Sequence, residues 1–119
     1  MITHTYEIDI VPGKMPPVVR LSQGDTDYVL YFEIMASTGE LEIEADTTAS
    51  LRGKMSDGTT YEAAADLNGT MLTVEGDEDL TAVAGKGLFE FCLTHDGKYL
   101  STQNFPIIIE ENPKEEEAG

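Results

Sequence analysis

Apolar and polar residues alternate along this chain with a period of two, in short runs broken by Gly, Asn and Asp. That period fits a β-strand with one buried face and no helix. Tyr6, Ile8 and Ile10 alternate with Glu7 and Asp9, a half-buried first strand. Val18-Val19-Arg20-Leu21 reads as a second strand. The run Tyr28 to Met35 is apolar at nearly every position, as in a central strand covered on both faces. Further runs end in Leu51 to Met55, begin at Tyr61, and cover Met71 to Val74 and Leu88 to Thr94, the last with Phe89, Phe91 and Leu93 on one side. Tyr99 begins a return strand, and Asn104 to Glu110 forms the last, whose Pro106 belongs at an edge or bulge because it has no N–H to donate. Glu40, Glu42 and Glu44 alternate with Leu41, Ile43 and Ala45, which places three carboxylates on the solvated face of a short edge strand.

The punctuation agrees. Ser56-Asp57-Gly58-Thr59, Asn68-Gly69 and His95-Asp96-Gly97-Lys98 are turn sequences, since Asn, Asp and Gly tolerate positive φ. Pro12-Gly13-Lys14-Met15-Pro16-Pro17 cannot continue a ladder and reads as an open connector. One short helical turn is expected over Glu78 to Ala84, crossing between two sheets, with Asp77 as its cap and Gly85 as its stop. Seven or more short strands with turns every roughly 8–12 residues give the pattern of an all-β sandwich or barrel. The 119 residues suit one domain over residues 1–111, followed by an acidic tail or linker over 112–119.

Charge narrows the partners. Twenty-three Asp and Glu against seven Lys and Arg give a net charge of −16. The cations are scattered, so neither nucleic acid nor an anionic membrane surface is an expected partner. The bland account of the excess acid is solubility. Cys92 is the sole cysteine, which rules out an intrachain disulfide and points to a reducing compartment. The segment after Met1 has neither the basic nor the apolar stretch of a signal peptide.

Reaction chemistry is sparse. His4 and His95 are the only histidines, and neither has a convincing catalytic partner in the sequence; His95-Asp96 is explained by its turn. Cys92 sits in an aromatic strand, where a thiol behaves as a small hydrophobe. Asp25 with Asp27, and Asp77-Glu78-Asp79, lack the spacing of a calcium loop and suit turns and caps. Gly85-Lys86-Gly87 lacks the rest of any phosphate loop, and Asn68-Gly69-Thr70 is better explained as a turn than as a glycosylation acceptor. The expectation is a protein that is no enzyme and has no catalytic residue, cofactor or metal. Loops carry most partner contacts, and Met15-Pro16-Pro17 is the most apolar of them. It is either a docking segment or a rigid connector packed on its own sheet.

Four pieces, in this order, resemble a known family. They are Pro16-Pro17-Val18-Val19-Arg20-Leu21-Ser22-Gln23-Gly24-Asp25, Asp57-Gly58-Thr59, Leu80-Thr81-Ala82-Val83-Ala84-Gly85-Lys86 and Ser101-Thr102-Gln103-Asn104-Phe105. From about Tyr6 to Asn112 the chain is similar to the N-terminal domain of phage baseplate upper proteins. The resemblance implies an immunoglobulin-like antiparallel β-sandwich that anchors a receptor-binding or fibre module to other phage structural proteins. It also implies a homo-oligomer, commonly a trimer, within a virion whose parts are made in the bacterial host cytoplasm. That family has no catalytic residues to carry over. Its members generally continue into helical and further binding regions, whereas this sequence stops at Gly119. An excised domain and a freestanding relative that decorates a capsid or seats a head fibre are the alternatives. A carbohydrate-binding sandwich is a reading of another class, and it would need exposed aromatic platforms from a chain with no Trp and five Tyr.

Overall fold

The computed structural model describes residues 1–11, 15–36 and 41–113. Among the described residues nine strands form in chain order: β1 (Ile2–Asp9), β2 (Val19–Ser22), β3 (Tyr28–Met35), β4 (Thr48–Lys54), β5 (Thr60–Asn68), β6 (Met71–Glu75), β7 (Gly85–His95), β8 (Lys98–Ser101) and β9 (Phe105–Glu110). They make one mixed sheet in the order β1-β3-β6-β5-β4-β7-β9-β2, with β8 beside the second half of β7. The molecule is thus all-β, as the period of two requires.

The expected purely antiparallel pairing is corrected, because β1 runs parallel to β3 and β2 parallel to β9. The sheet curls upon itself as a half-barrel. β5 makes the corner by pairing with β4 through Ala65 and with β6 from Asp66 onward. Curling brings β3 against β7 and β9: the Phe32 ring lies 4.9 Å from that of Phe91 and 5.3 Å from that of Phe105, centroid to centroid. All three rings are essentially buried, and Tyr6 stacks on Phe32 at 5.2 Å. Each such pair contributes about 0.5–1.5 kcal/mol beyond the area it buries.

Polar latches hold the curl. Gln103, just before β9, accepts the Asp9 N–H at its side-chain oxygen and donates its own N–H to the Asp9 carbonyl, both at 2.8 Å. Both residues are buried, where an unpaired backbone group would cost about 1–3 kcal/mol. Thr102 beside it exchanges backbone and hydroxyl bonds with Phe91, each 3.0 Å long.

Two further expectations are corrected. Residues 78–83 form turns and bends, with no α-helix. Asp77 does cap the segment, accepting the Asp79 N–H at 3.0 Å, but seven residues are too few for a helix to hold itself together. Tertiary bonds take over instead: the Thr81 hydroxyl donates to the Asp25 carbonyl at 2.8 Å, and Gly24 donates to the Thr81 carbonyl at 3.0 Å. Residues 41–44 join no ladder. Leu41 and Ile43 still pack on the core while Glu42 and Glu44 face solvent, so the alternation survives without a strand. Glu40, Pro12, Gly13 and Lys14 fall outside the described residues, as does the tail from 114. The Asn112 N–H donates to Gln23 Oε1 at 3.2 Å.

The turns follow the sequence closely. β7 and β8 are joined by Asp96 (φ 49°) and Gly97 (φ 75°), both left-handed, as the tightest hairpin turn demands. Pro106 pairs with Leu88 of β7, and β2 begins its pairing only at Ile107, so the proline faces no partner strand on its other side.

Candidate docking surfaces

The connector singled out in the sequence leads into edge strand β2. Met15 is 93% exposed, Pro16 and Pro17 are half-buried, and Val18 is exposed again. A methionine this open gains nothing from the core and is available for contact.

The larger surfaces are the two outer faces of the curled sheet, and side-chain alternation decides what they carry. On β1, β3 and β6, Ile8, Phe32 and Leu72 point inward and the intervening residues point out. Tyr31 is flanked by Thr5 and Thr73, Glu7 stands opposite Glu33, and Glu75 opposite Val29. These three strands contain no Lys or Arg. Glu33 is held by the Thr70 hydroxyl, which donates to it at 2.6 Å.

On β7, β9 and β2 the inward residues are Phe89, Phe91, Phe105, Ile107, Ile109, Val19 and Leu21. Outward, Lys54, Leu88 and Pro106 line up across three strands, and one step along so do Lys86, Ile108 and Arg20. Leu88 is 51% exposed and opens onto a groove of about 560 Å³ whose charged lining is mixed, with Arg52 and Lys54 beside Glu62 and Glu90. Arg52 is engaged by Glu90 at 3.6 Å. Five of the seven cations lie among the described residues, and four of those five (Arg20, Arg52, Lys54, Lys86) are on this side. Scattered along the sequence, these cations are gathered onto one side by strand register.

The remaining candidates have local explanations. His95 does have a partner, which the sequence did not reveal: its Nδ1 lies 2.8 Å from Asp46. His4 is exposed beside Tyr6, with ring centroids 6.1 Å apart. Cys92 is buried. Asp27 sits 3.4 Å from the chain's amino terminus. Asp77 is a structural hub: its carboxylate accepts the Tyr61 hydroxyl at 2.5 Å, and its backbone N–H donates to the Tyr28 hydroxyl at 3.1 Å. Burial first, then the Asp77 carboxylate, pushes the Tyr61 phenol well above its usual range. Burial is likewise the main cause that raises Tyr28. Asp57 is lowered by the Thr59 hydroxyl and N–H that its side chain accepts. Among the described residues no three His, Cys, Asp or Glu side chains are grouped as a metal site.

The architecture is that of a small curled β-scaffold whose chemistry is presented on its faces. No protein-family model and no curated protein matches the sequence. Among solved structures the chain is similar to the N-terminal domain of phage TP901-1 ORF48, with a TM-score of 0.72 over 92% of this chain and 99% of that one. The two share their fold at 16% sequence identity.

Proposed function

We propose that this domain is a structural, non-enzymatic component of a phage particle, an adaptor that seats a receptor-binding or fibre module on neighbouring virion proteins. The observation that carries the reading is the shared fold with a phage protein's N-terminal domain, matched nearly end to end in both chains. The ordered sequence resemblance to the baseplate upper protein domain supports it independently. On this reading the immunoglobulin-like classification, the repetition by particle symmetry in threes and the baseplate location all follow from that family. Met15, Pro16 and Pro17 serve as one docking segment, because a proline-stiffened connector has little backbone freedom to lose on binding and an exposed methionine adapts its shape to a partner's surface.

Quantitative mass spectrometry of purified particles tests the proposal. The expected result is a fixed copy number per particle, with a crosslinker placed at position 15 joining the chain to a different virion protein. Absence from purified particles overturns it. Location of the chain on the capsid rather than the tail replaces the baseplate assignment with capsid decoration or a head fibre. Capture by a cell-surface glycan with no particle association replaces the adaptor with a carbohydrate-binding module.

A further inference from the structure

The two outer faces are complementary in both charge and polarity. One has an apolar middle of Tyr31 and Val29 bordered by Glu7, Glu33 and Glu75, with no cation in β1, β3 or β6. The other has an apolar middle of Leu88, Pro106 and Ile108 bordered by Lys54, Lys86 and Arg20. Those three cations are exposed and make no ion pair with the described residues. Glu62, Glu90 and Glu110 share that outer side, with Glu90 neutralising Arg52. The cations therefore form a local border around Leu88 and Ile108 within a mixed face, whereas the strands of the opposite face contribute acids and no cation.

We propose that copies of this chain associate head to tail, the acid-bordered face of β1, β3 and β6 on one copy seating on the cation-bordered apolar patch of β7, β9 and β2 on the next. The contact is heterologous, so it either closes into a ring or continues as a filament. This proposal does not rest on the assignment to a phage particle. Overall repulsion between acidic copies acts at long range and is screened beyond about 8 Å at physiological salt, whereas paired borders meet at contact distance. Association therefore emerges at moderate salt.

The test is sedimentation velocity on the full chain at about 0.15 M salt. One double variant, Glu7→Lys with Glu75→Lys, spoils the acidic face; another, Lys54→Glu with Lys86→Glu, spoils the basic one. All four side chains are exposed, and circular dichroism checks that each variant is folded. The wild type should form oligomers, and each variant alone should weaken association by about 10–100-fold. Mixing the two variants should restore association, because the intact basic face of one meets the intact acidic face of the other and the two reversed faces also carry opposite charges. The first variant moves the net charge from −16 to −12, since each Glu→Lys exchange adds two, so relief of general repulsion would strengthen association where head-to-tail seating predicts loss. Leu88→Ser, which changes no charge, should also weaken the contact. A wild type that stays monomeric up to about 1 mM, the scale of a very weak contact, overturns the proposal. So does a mixture of variants that fails to pair.

Discussion

Tyr61→Phe removes one oxygen from the point where β3, β5 and the crossover to β7 meet. The wild-type hydroxyl donates to Asp77 Oδ2, while the other carboxylate oxygen of Asp77 accepts the Asp79 N–H and its main chain exchanges bonds with Tyr28. A hydrogen bond to a charged group contributes about 1.5–3 kcal/mol. Asp77 is half-buried, so water partly replaces the lost donor and the expected cost is at the lower end, about 1.5–2 kcal/mol. The ring is kept, and with it the edge contact to Phe89 at 6.0 Å, so packing adds nothing to this figure. For a domain of this size the loss corresponds to a fall in Tm of about 6–8 °C. Urea unfolding followed by circular dichroism measures it, with an unchanged m-value expected. A second signature comes from pH. The folded-state phenol titrates above its ordinary value of 10.0, so its contribution is fully present below pH 10 and is lost as pH rises further, because the unfolded chain ionises while the folded chain keeps its proton. The alkaline limb of stability should be flatter in Tyr61→Phe than in wild type. A loss below about 0.5 kcal/mol, or superimposable alkaline limbs, would refute the role assigned to this hydroxyl.

Gly76→Ala should destabilise the fold by about 1–3 kcal/mol or more, because a β-carbon there would stand 1.7 Å from the Thr26 carbonyl oxygen and main chain would have to move; denaturant unfolding reads the loss. Phe32→Ala should cost about 3–5 kcal/mol, since it empties the place where the two halves of the sheet meet, and thermal melting should show it as the larger effect of the two. Raising salt from near zero to about 0.1 M should raise the Tm by screening sixteen excess negative charges, and a fall in Tm would mean that specific ion pairs outweigh the repulsion.

Local signals were legible because their causes are local. Alternation within a run places β3, β6 and β7, and the positive φ of Asp96-Gly97 is a property of two residues. The expected helix over 78–84 failed for a reason that lies elsewhere in the chain. Leu80 and Thr81 are fully buried, and Thr81 is bonded to Asp25, 56 residues away. The residues that carried the family resemblance include Gln23, Thr81, Thr102 and Gln103, each of which makes a hydrogen bond that joins distant segments. Their identity was visible in the sequence and their work was not. Met15 to Pro17 could be found as an apolar connector, but whether Met15 would turn inward depended on the sheet beneath it.

The sequence by itself determined that this chain is all-β, where most strands lie, how they turn and which side of each strand is greasy, because a period of two and a left-handed turn are written into neighbouring residues. Tertiary structure alone decided which strands pair. The parallel contacts of β1 with β3 and of β2 with β9 join Ile2 to Tyr28 and Arg20 to Ile108, partners that no local pattern selects. Register also decided the distribution of charge. A slip of one residue would carry Arg20, Lys86 and Lys54 to the inner side, so burying the phenylalanines in the core is what fixes the cations on one outer face and leaves the other to acids.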